Sequence, residues 1–249
     1  MKATLTLLFY LFTYSISAQS ILFVPGQSGW VFEGNYSKPL SNALYAAPKF
    51  GVGSNYIFNG RASIGFSFST EIFNNPSQSF IPNFFPVVGD RTSFLLRKKI
   101  IEPTISYLLI RQDAENTILS FSLDASYQYI NHKYAYDIHG VHTSIGCFGA
   151  SVYRKFPLGS RLFLIPFFST SFGLANFKQN ELHFYSKYKL VHYELGALYK
   201  TNYWFIKPSV NLLSEYKYGA DDHFSISITG GFYFSSKRKW IHQPFKQII

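Results

Sequence analysis

Apolar and polar residues alternate with a period of two in ten runs along the chain, and the connections between the runs alternate short and long. The runs cover 30–37, 47–58, 61–72, 99–110, 117–130, 140–155, 161–174, 188–200, 202–216 and 223–234. In the third, Ala62, Ile64, Phe66, Phe68 and Ile72 oppose Ser63, Gly65, Ser67, Ser69 and Glu71. In the fifth, Leu119, Phe121, Leu123, Ala125, Tyr127 and Tyr129 oppose Ser120, Ser122, Asp124, Ser126 and Gln128. The tenth sets Phe224, Ile226, Ile228, Phe232 and Phe234 against Ser225, Ser227, Thr229 and Tyr233. A period of two belongs to a strand with two unlike faces. Four connections are tight: Asn59-Gly60, which carries a type I′ hairpin signal, then 111–116, 156–160 and 200–202. The other five, 38–46, 73–98, 131–139, 175–187 and 217–222, are open loops. Strands with one apolar face, tight turns at one rim and open loops at the other predict an all-β fold. The fold expected is a closed antiparallel up-and-down transmembrane β-barrel of about ten strands, with short periplasmic turns and longer extracellular loops. An even strand number puts both termini in the periplasm. Pro103, Pro166 and Pro208 fall inside strands and each removes a ladder donor, so bulges are expected there. Gly146 and Gly149 suggest another bulge in the sixth strand, with a change of face.

The first residues change the picture from any barrel to an exported one. Lys2, an apolar run from Leu5 to Ile16, and the small residues Ser17 and Ala18 have the layout of a secretory signal cleaved after Ala18. The run is shorter than the ~18 apolar residues of a spanning helix, and no cysteine follows the site to receive a lipid anchor. The domains expected are a signal at 1–18, the barrel at 19–234 and a basic periplasmic tail at 235–249. A mean hydropathy of +0.02 fits strands that are half polar. Aromatics are 20% of residues, with 19 Tyr and 27 Phe, suited to strands and to the interfacial girdles of a membrane barrel. Cys147 is alone, so neither a disulfide framework nor a cysteine zinc site supports the fold.

Removing the signal takes one Lys from the 23 basic residues, leaving 22 against 13 acids, a net charge of +9. Export and the scatter of these charges argue against nucleic acid as a partner. Phosphates of lipopolysaccharide or other outer-membrane lipid are the expected counter-charge for the outer loops. A soluble barrel would alternate too, but its lumen would hold the large apolar side chains rather than Ser, Gln, Asp and Glu.

The signal ending Ala18-Gln19, the Ser- and Tyr-rich strands, and a last strand closing on Gly230-Gly231-Phe232-Tyr233-Phe234 resemble the outer-membrane β-barrel proteins common in Bacteroidota, of the OmpA/OmpW-like barrel superfamily. The resemblance covers the whole mature chain as a pattern and carries no subfamily motif. It implies location in the bacterial outer membrane and recognition of Phe232 and Phe234 by the barrel assembly machinery. The chain departs from the pattern in its basic tail, with Lys237, Arg238, Lys239 and Trp240.

Candidate chemistry lies on the faces read as lumenal: Glu33, Glu71, Glu102, Asp124, Glu194 and Glu215, with Lys49, His192 and Lys207. These are six of the 13 acids, and a narrow barrel has little bulk water, so they should pair and fill the interior. A narrow conduit lined by the same residues is the alternative. His142-Thr143-Ser144 resembles the His-x-Ser pair of outer-membrane lipid A deacylases, which would make His142 the base and Ser144 the nucleophile. No orienting acid is assigned, since neither Asp137 nor Glu194 stands at a diagnostic spacing, and no enzyme activity is the first expectation. His139 and His142, three apart on a strand, face opposite ways, which excludes a metal pair. No cofactor motif appears. The 26-residue loop 73–98 carries Phe80, Phe84, Phe85 and Arg91 among three prolines. It is a candidate lid or docking segment for a lipid or an extracellular or periplasmic protein partner, unless it packs on the barrel's own loops.

Overall fold

A computed structural model of the chain describes residues 22–23, 25–40, 47–72, 95–112, 119–134, 141–159, 161–179, 184–216 and 220–235. The signal segment 1–18, loop residues 73–94 and the tail from 236 lie outside them. The strands are β1 (Gly29–Pro39), β2 (Lys49–Phe58), β3 (Ala62–Ile72), β4 (Leu95–Ile110), β5 (Ser120–Tyr134), β6 (Val141–Tyr153), β7 (Phe156–Pro157), β8 (Phe163–Gln179), β9 (Phe184–Lys200), β10 (Trp204–Tyr216) and β11 (Ala220–Ser235). β7 is a two-residue pairing with Phe163 and Leu164 that extends the β6–β8 turn. The other ten form the wall, each antiparallel to its neighbours in chain order, and β1 closes on β11 from Gly29↔Ser235 to Pro39↔Ser225. The closed antiparallel up-and-down barrel of ten strands is therefore as expected.

Alternation fixes which face each side chain takes. Large apolar residues stand on the outer surface, with Leu195 64% exposed, Phe148 60% and Phe66 52%. Serines, carboxylates and lysines of the same strands are buried inside. This is the polarity of a transmembrane barrel, inverted from that of a soluble one. At the turn rim Trp30 stacks on Phe32 at 6.1 Å and meets Tyr56 edge-on at 5.0 Å, while Tyr56 meets Phe58 at 4.6 Å. These rings begin an aromatic girdle that Tyr203 and Trp204, both exposed, continue.

The hairpin at Asn59-Gly60 has φ of 51° and 62° at its two residues, the left-handed pair that a type I′ turn requires. The expected bulges are absent where they were placed. β6 keeps a single register against β5 from Ser120↔Tyr153 to Asn131↔His142, and Val141 through Tyr153 alternate without a change of face. Pro103 and Pro208 are each accommodated by two missing partner pairs on one side, with the register resuming unchanged. The register shifts of β4 lie elsewhere, between Leu95 and Arg97 and between Leu108 and Ile110.

Six strands also run further toward the loop rim than their apolar pattern suggested, β1 by two residues and five others by more. Leu95–Lys98, Asn131–Tyr134, Ala175–Gln179, Phe184–Lys187 and Ala220–Asp222, read as loop, are strand. β8 and β9 reach 17 residues where β2 has 10. β8 and β9 thus exceed β2 by roughly 20 Å of strand at ~3.3 Å per residue, and the wall is tallest there.

Candidate functional site

The interior is stacked in layers. At the turn rim the chain preceding β1 turns into the barrel and buries Leu22 and Phe23, each 1% exposed. They join Val31, Ile57, Leu108, Tyr153, Ile165, Phe167, Leu198, Phe205 and Tyr233 in one apolar cluster. The plug's backbone is held by cations: Arg111 donates to the Phe23 carbonyl at 2.8 Å and to that of Gly60, and Lys200 donates to that of Leu22. Lys155 lies beside them with its ammonium 3.9 Å from the Phe163 ring. Burial lowers the pKa of Lys155 from its ordinary value, and the neighbouring Arg111 charge lowers it further. Sequence reasoning missed this plug, because Leu22 and Phe23 precede the first alternating run and Lys200 reads as a turn residue.

Above the plug lies a polar layer. Asp124 accepts from Ser151 at 3.0 Å and Ser122 at 3.4 Å, and Ser169 donates to Ser151 at 2.9 Å. Lys207 pairs with Glu194 at 3.1 Å. His192 lies 3.3 Å from the Asn211 side chain, which donates to Ser227 at 3.0 Å. Toward the loops a single rung carries Lys49, Glu71, Lys98 and His132 on β2, β3, β4 and β5. Lys98 and Glu71 form an ion pair of 3.2 Å with both side chains fully buried. Lys49 faces Glu71 and Glu102, and Glu102 also faces Gln128 and Ser126. Glu33 is half-buried and points at Gly53, whose missing side chain leaves it room.

Glu33, Glu71, Glu102, Asp124, His192, Glu194, Lys207 and Lys49 are thus interior, as read from the sequence. Glu215 lies on β10, but its side chain is outside the described ones. Lys98 belongs to the same layer and was missed, because the loop was drawn to include it. Beside Asp124 a cavity of ≈ 10 Å³ remains between Glu102, Ser106, Cys147 and Ser171, room for about one water. On the tall side Ile100, Ile130, Ile145, Ala175, Phe177 and Leu190 pack inward as well, with Ile100 and Ile130 just beneath the rung of Lys98 and His132.

His142 and Ser144 share a face, and it is the outer one. The His142 ring lies 5.6 Å from that of Tyr129, and its register partners are Asn131 and Lys178. Those of Ser144 are Tyr129 and Asn176, so neither residue has a carboxylate opposite it. Asp137, His139, Phe80, Phe84, Phe85 and Arg91 lie outside the described residues. Among the described residues no group of three or more His, Cys, Asp or Glu is placed to hold a metal ion.

No family model and no curated protein matches the sequence. Solved structures do. The chain is similar to the outer membrane protease OmpT from Escherichia coli, with 11% identity, 84% of this chain and 95% of that one covered, and a TM-score of 0.42. LpxR from Salmonella typhimurium is 12% identical, with 82% and 100% covered and a TM-score of 0.43. Neisserial surface protein A is 12% identical, with 83% and 95% covered and a TM-score of 0.39. Each likeness is one of barrel form at low score, and none bears on the chemistry of the site.

Proposed function

We propose that the protein is an outer-membrane barrel with a sealed lumen, which acts as a structural and surface-binding protein through its outer wall and loops. The observation that carries this reading is the filled interior: an apolar plug at one rim, buried charge pairs above it, and inward-packed apolar side chains between those pairs on the tall side. Solutes crossing such a barrel would have to displace buried ion pairs, whose desolvated partners cost several kcal/mol each to separate. The apolar outer wall supports a membrane setting, since soluble proteins rarely expose contiguous apolar patches beyond a few hundred Å². Export through a cleaved signal and a narrower kinship with the barrels of Bacteroidota rest on the sequence pattern alone.

Conductance in planar bilayers tests the sealed lumen. Inserted, folded protein should be electrically silent, and a steady ohmic current would return the polar layer to the role of a conduit. Lipid deacylation by His142 and Ser144 is the reading we favour less, because Asn131 and Lys178 flank His142 where an orienting acid would stand. Release of fatty acid from lipid A by the purified chain, lost in Ser144→Ala, would reverse that preference.

A further inference from the structure

Followed up the outer wall from β4 to β9, successive cross-strand rows change character in order. Ile105, Ala125, Phe148, Phe172 and Val191 are register partners in an apolar row. Two rows nearer the loops come Ile101, Tyr129, Ser144 and Asn176. The next row is Lys99, Asn131, His142 and Lys178, an unbroken set of partners across β4, β5, β6 and β8. Beyond it Arg97 pairs with Lys133.

Inside at the same height Ile130, Val141 and Phe177 are buried beside the ion-pair rung of Lys98 and His132. An outer face that passes from apolar to polar and basic marks where the wall leaves hydrocarbon and enters water. The lysine row stands at that boundary and spans three strand spacings, about 15 Å.

Every side chain of that row offers a hydrogen-bond donor. Lys99, Lys133 and Lys178 are exposed, whereas the described carboxylates Glu33, Glu71, Glu102, Asp124 and Glu194 all point into the barrel. Like charges directly opposite on a sheet, as in Arg97–Lys133, are destabilising by themselves. An anion over the row removes that repulsion. Lysine stems lie along apolar wall while their ammonium groups reach the headgroup level, where Ser144 and Asn176 add polar contacts just beneath.

We propose that this row binds the phosphate groups of a phosphorylated glycolipid in the leaflet on the loop side, its acyl chains lying on Ile101, Phe148, Phe172 and Leu174. The proposal rests on the membrane setting given above and names the partner of that surface. It gives His142 and Ser144 a place as donors to headgroup oxygens.

The test uses the full mature chain in detergent micelles, with diphosphoryl lipid A and the same lipid dephosphorylated offered at equal concentration, and bound lipid counted by native mass spectrometry. The chain should retain the phosphorylated form in preference by about tenfold. The preference should fade as salt rises from about 0.05 to about 0.5 M. It should vanish in Lys99→Gln/Lys133→Gln/Lys178→Gln, whose changes are all on the outer face. Should that variant fail to fold, Lys178→Gln alone should lower the preference measurably. Equal retention of both lipids, an undiminished preference in the folded variant, or preferential capture of an acidic peptide over the lipid overturns the proposal. Failure of the membrane reading itself looks different: the chain would remain monodisperse without detergent.

Discussion

Glu71 is the residue whose removal should hurt the barrel most for the least change in shape. It sits on one rung between Lys49 and Lys98, and its pair with Lys98 spans 3.2 Å with neither side chain reaching solvent. Glu71→Gln keeps the volume but removes the carboxylate that Lys98 pairs with, while Lys49 keeps Glu102. Breaking a buried pair by deleting one partner costs about 3–5 kcal/mol. Lys98→Met should cost less, about 1–3 kcal/mol, because Glu71 keeps Lys49 as its partner. Glu71→Leu combined with Lys98→Met removes both charges, and such apolar replacements of buried pairs come out near neutral or stabilising. The double variant should therefore lie within about 1 kcal/mol of the parent, and against Glu71→Leu and Lys98→Met made singly, with Glu71→Leu costing about as much as Glu71→Gln, the coupling energy should be about 3 kcal/mol or more. Urea unfolding of the chain folded in phospholipid vesicles, followed by the emission of Trp30 and Trp204 on the outer wall, gives these differences. Equal costs for the two single variants, or a double variant costing their sum, would refute the asymmetry that Lys49 imposes.

The plug and the seam make further claims. Phe23→Ala empties a site that is 1% exposed and lies 5.5 Å from the Tyr233 ring. It should lower unfolding stability by about 3–5 kcal/mol yet leave the barrel electrically silent, since the polar layer above stays filled. At the closing seam, a Cβ on Gly231 would collide with the Phe32 carbonyl and sit 2.9 Å from the Phe205 ring, whereas one on Gly34 meets nothing nearer than 3.9 Å. Gly231→Ala should therefore cost about 1–3 kcal/mol or prevent folding, and Gly34→Ala, on a neighbouring rung, should fold as the parent does; the folded fraction recovered in vesicles reads both.

The membrane-embedded part of the barrel was legible because each strand there has one apolar and one polar face. β5 shows this most clearly, with Tyr127 exposed on the outer wall and Gln128 fully buried. The same rule hid the upper wall. Above the Tyr129 row polar and charged residues take both faces, with Asn131, Lys133 and Lys178 outward and Lys98 and His132 inward beside Ile130 and Phe177, so a search for apolar-out strands reads 95–98, Asn131–Tyr134 and Ala175–Gln179 as loop. Lys98 was lost from the ion-pair layer for that reason. Leu22 and Phe23 were illegible differently, since a short segment buried by tertiary contact carries no period. Proline was over-read: its missing donor implied bulges at Pro103 and Pro208, but the sheet omits two partner pairs at each and continues in register.

The central claim, apolar wall in lipid and polar interior sealed, with the outer face turning polar at the lysine row, is tested most directly by a spin-label scan of β5 from position 119 to 133 in bilayers. Accessibility to oxygen and to a water-soluble relaxant would be measured at each site. Positions 121, 123, 125, 127 and 129 should be open to oxygen, 131 and 133 to the aqueous reagent, and the even positions 120 to 132 to neither. Oxygen reaching Ser122 or Asp124, or the aqueous reagent reaching Leu123, would contradict the account.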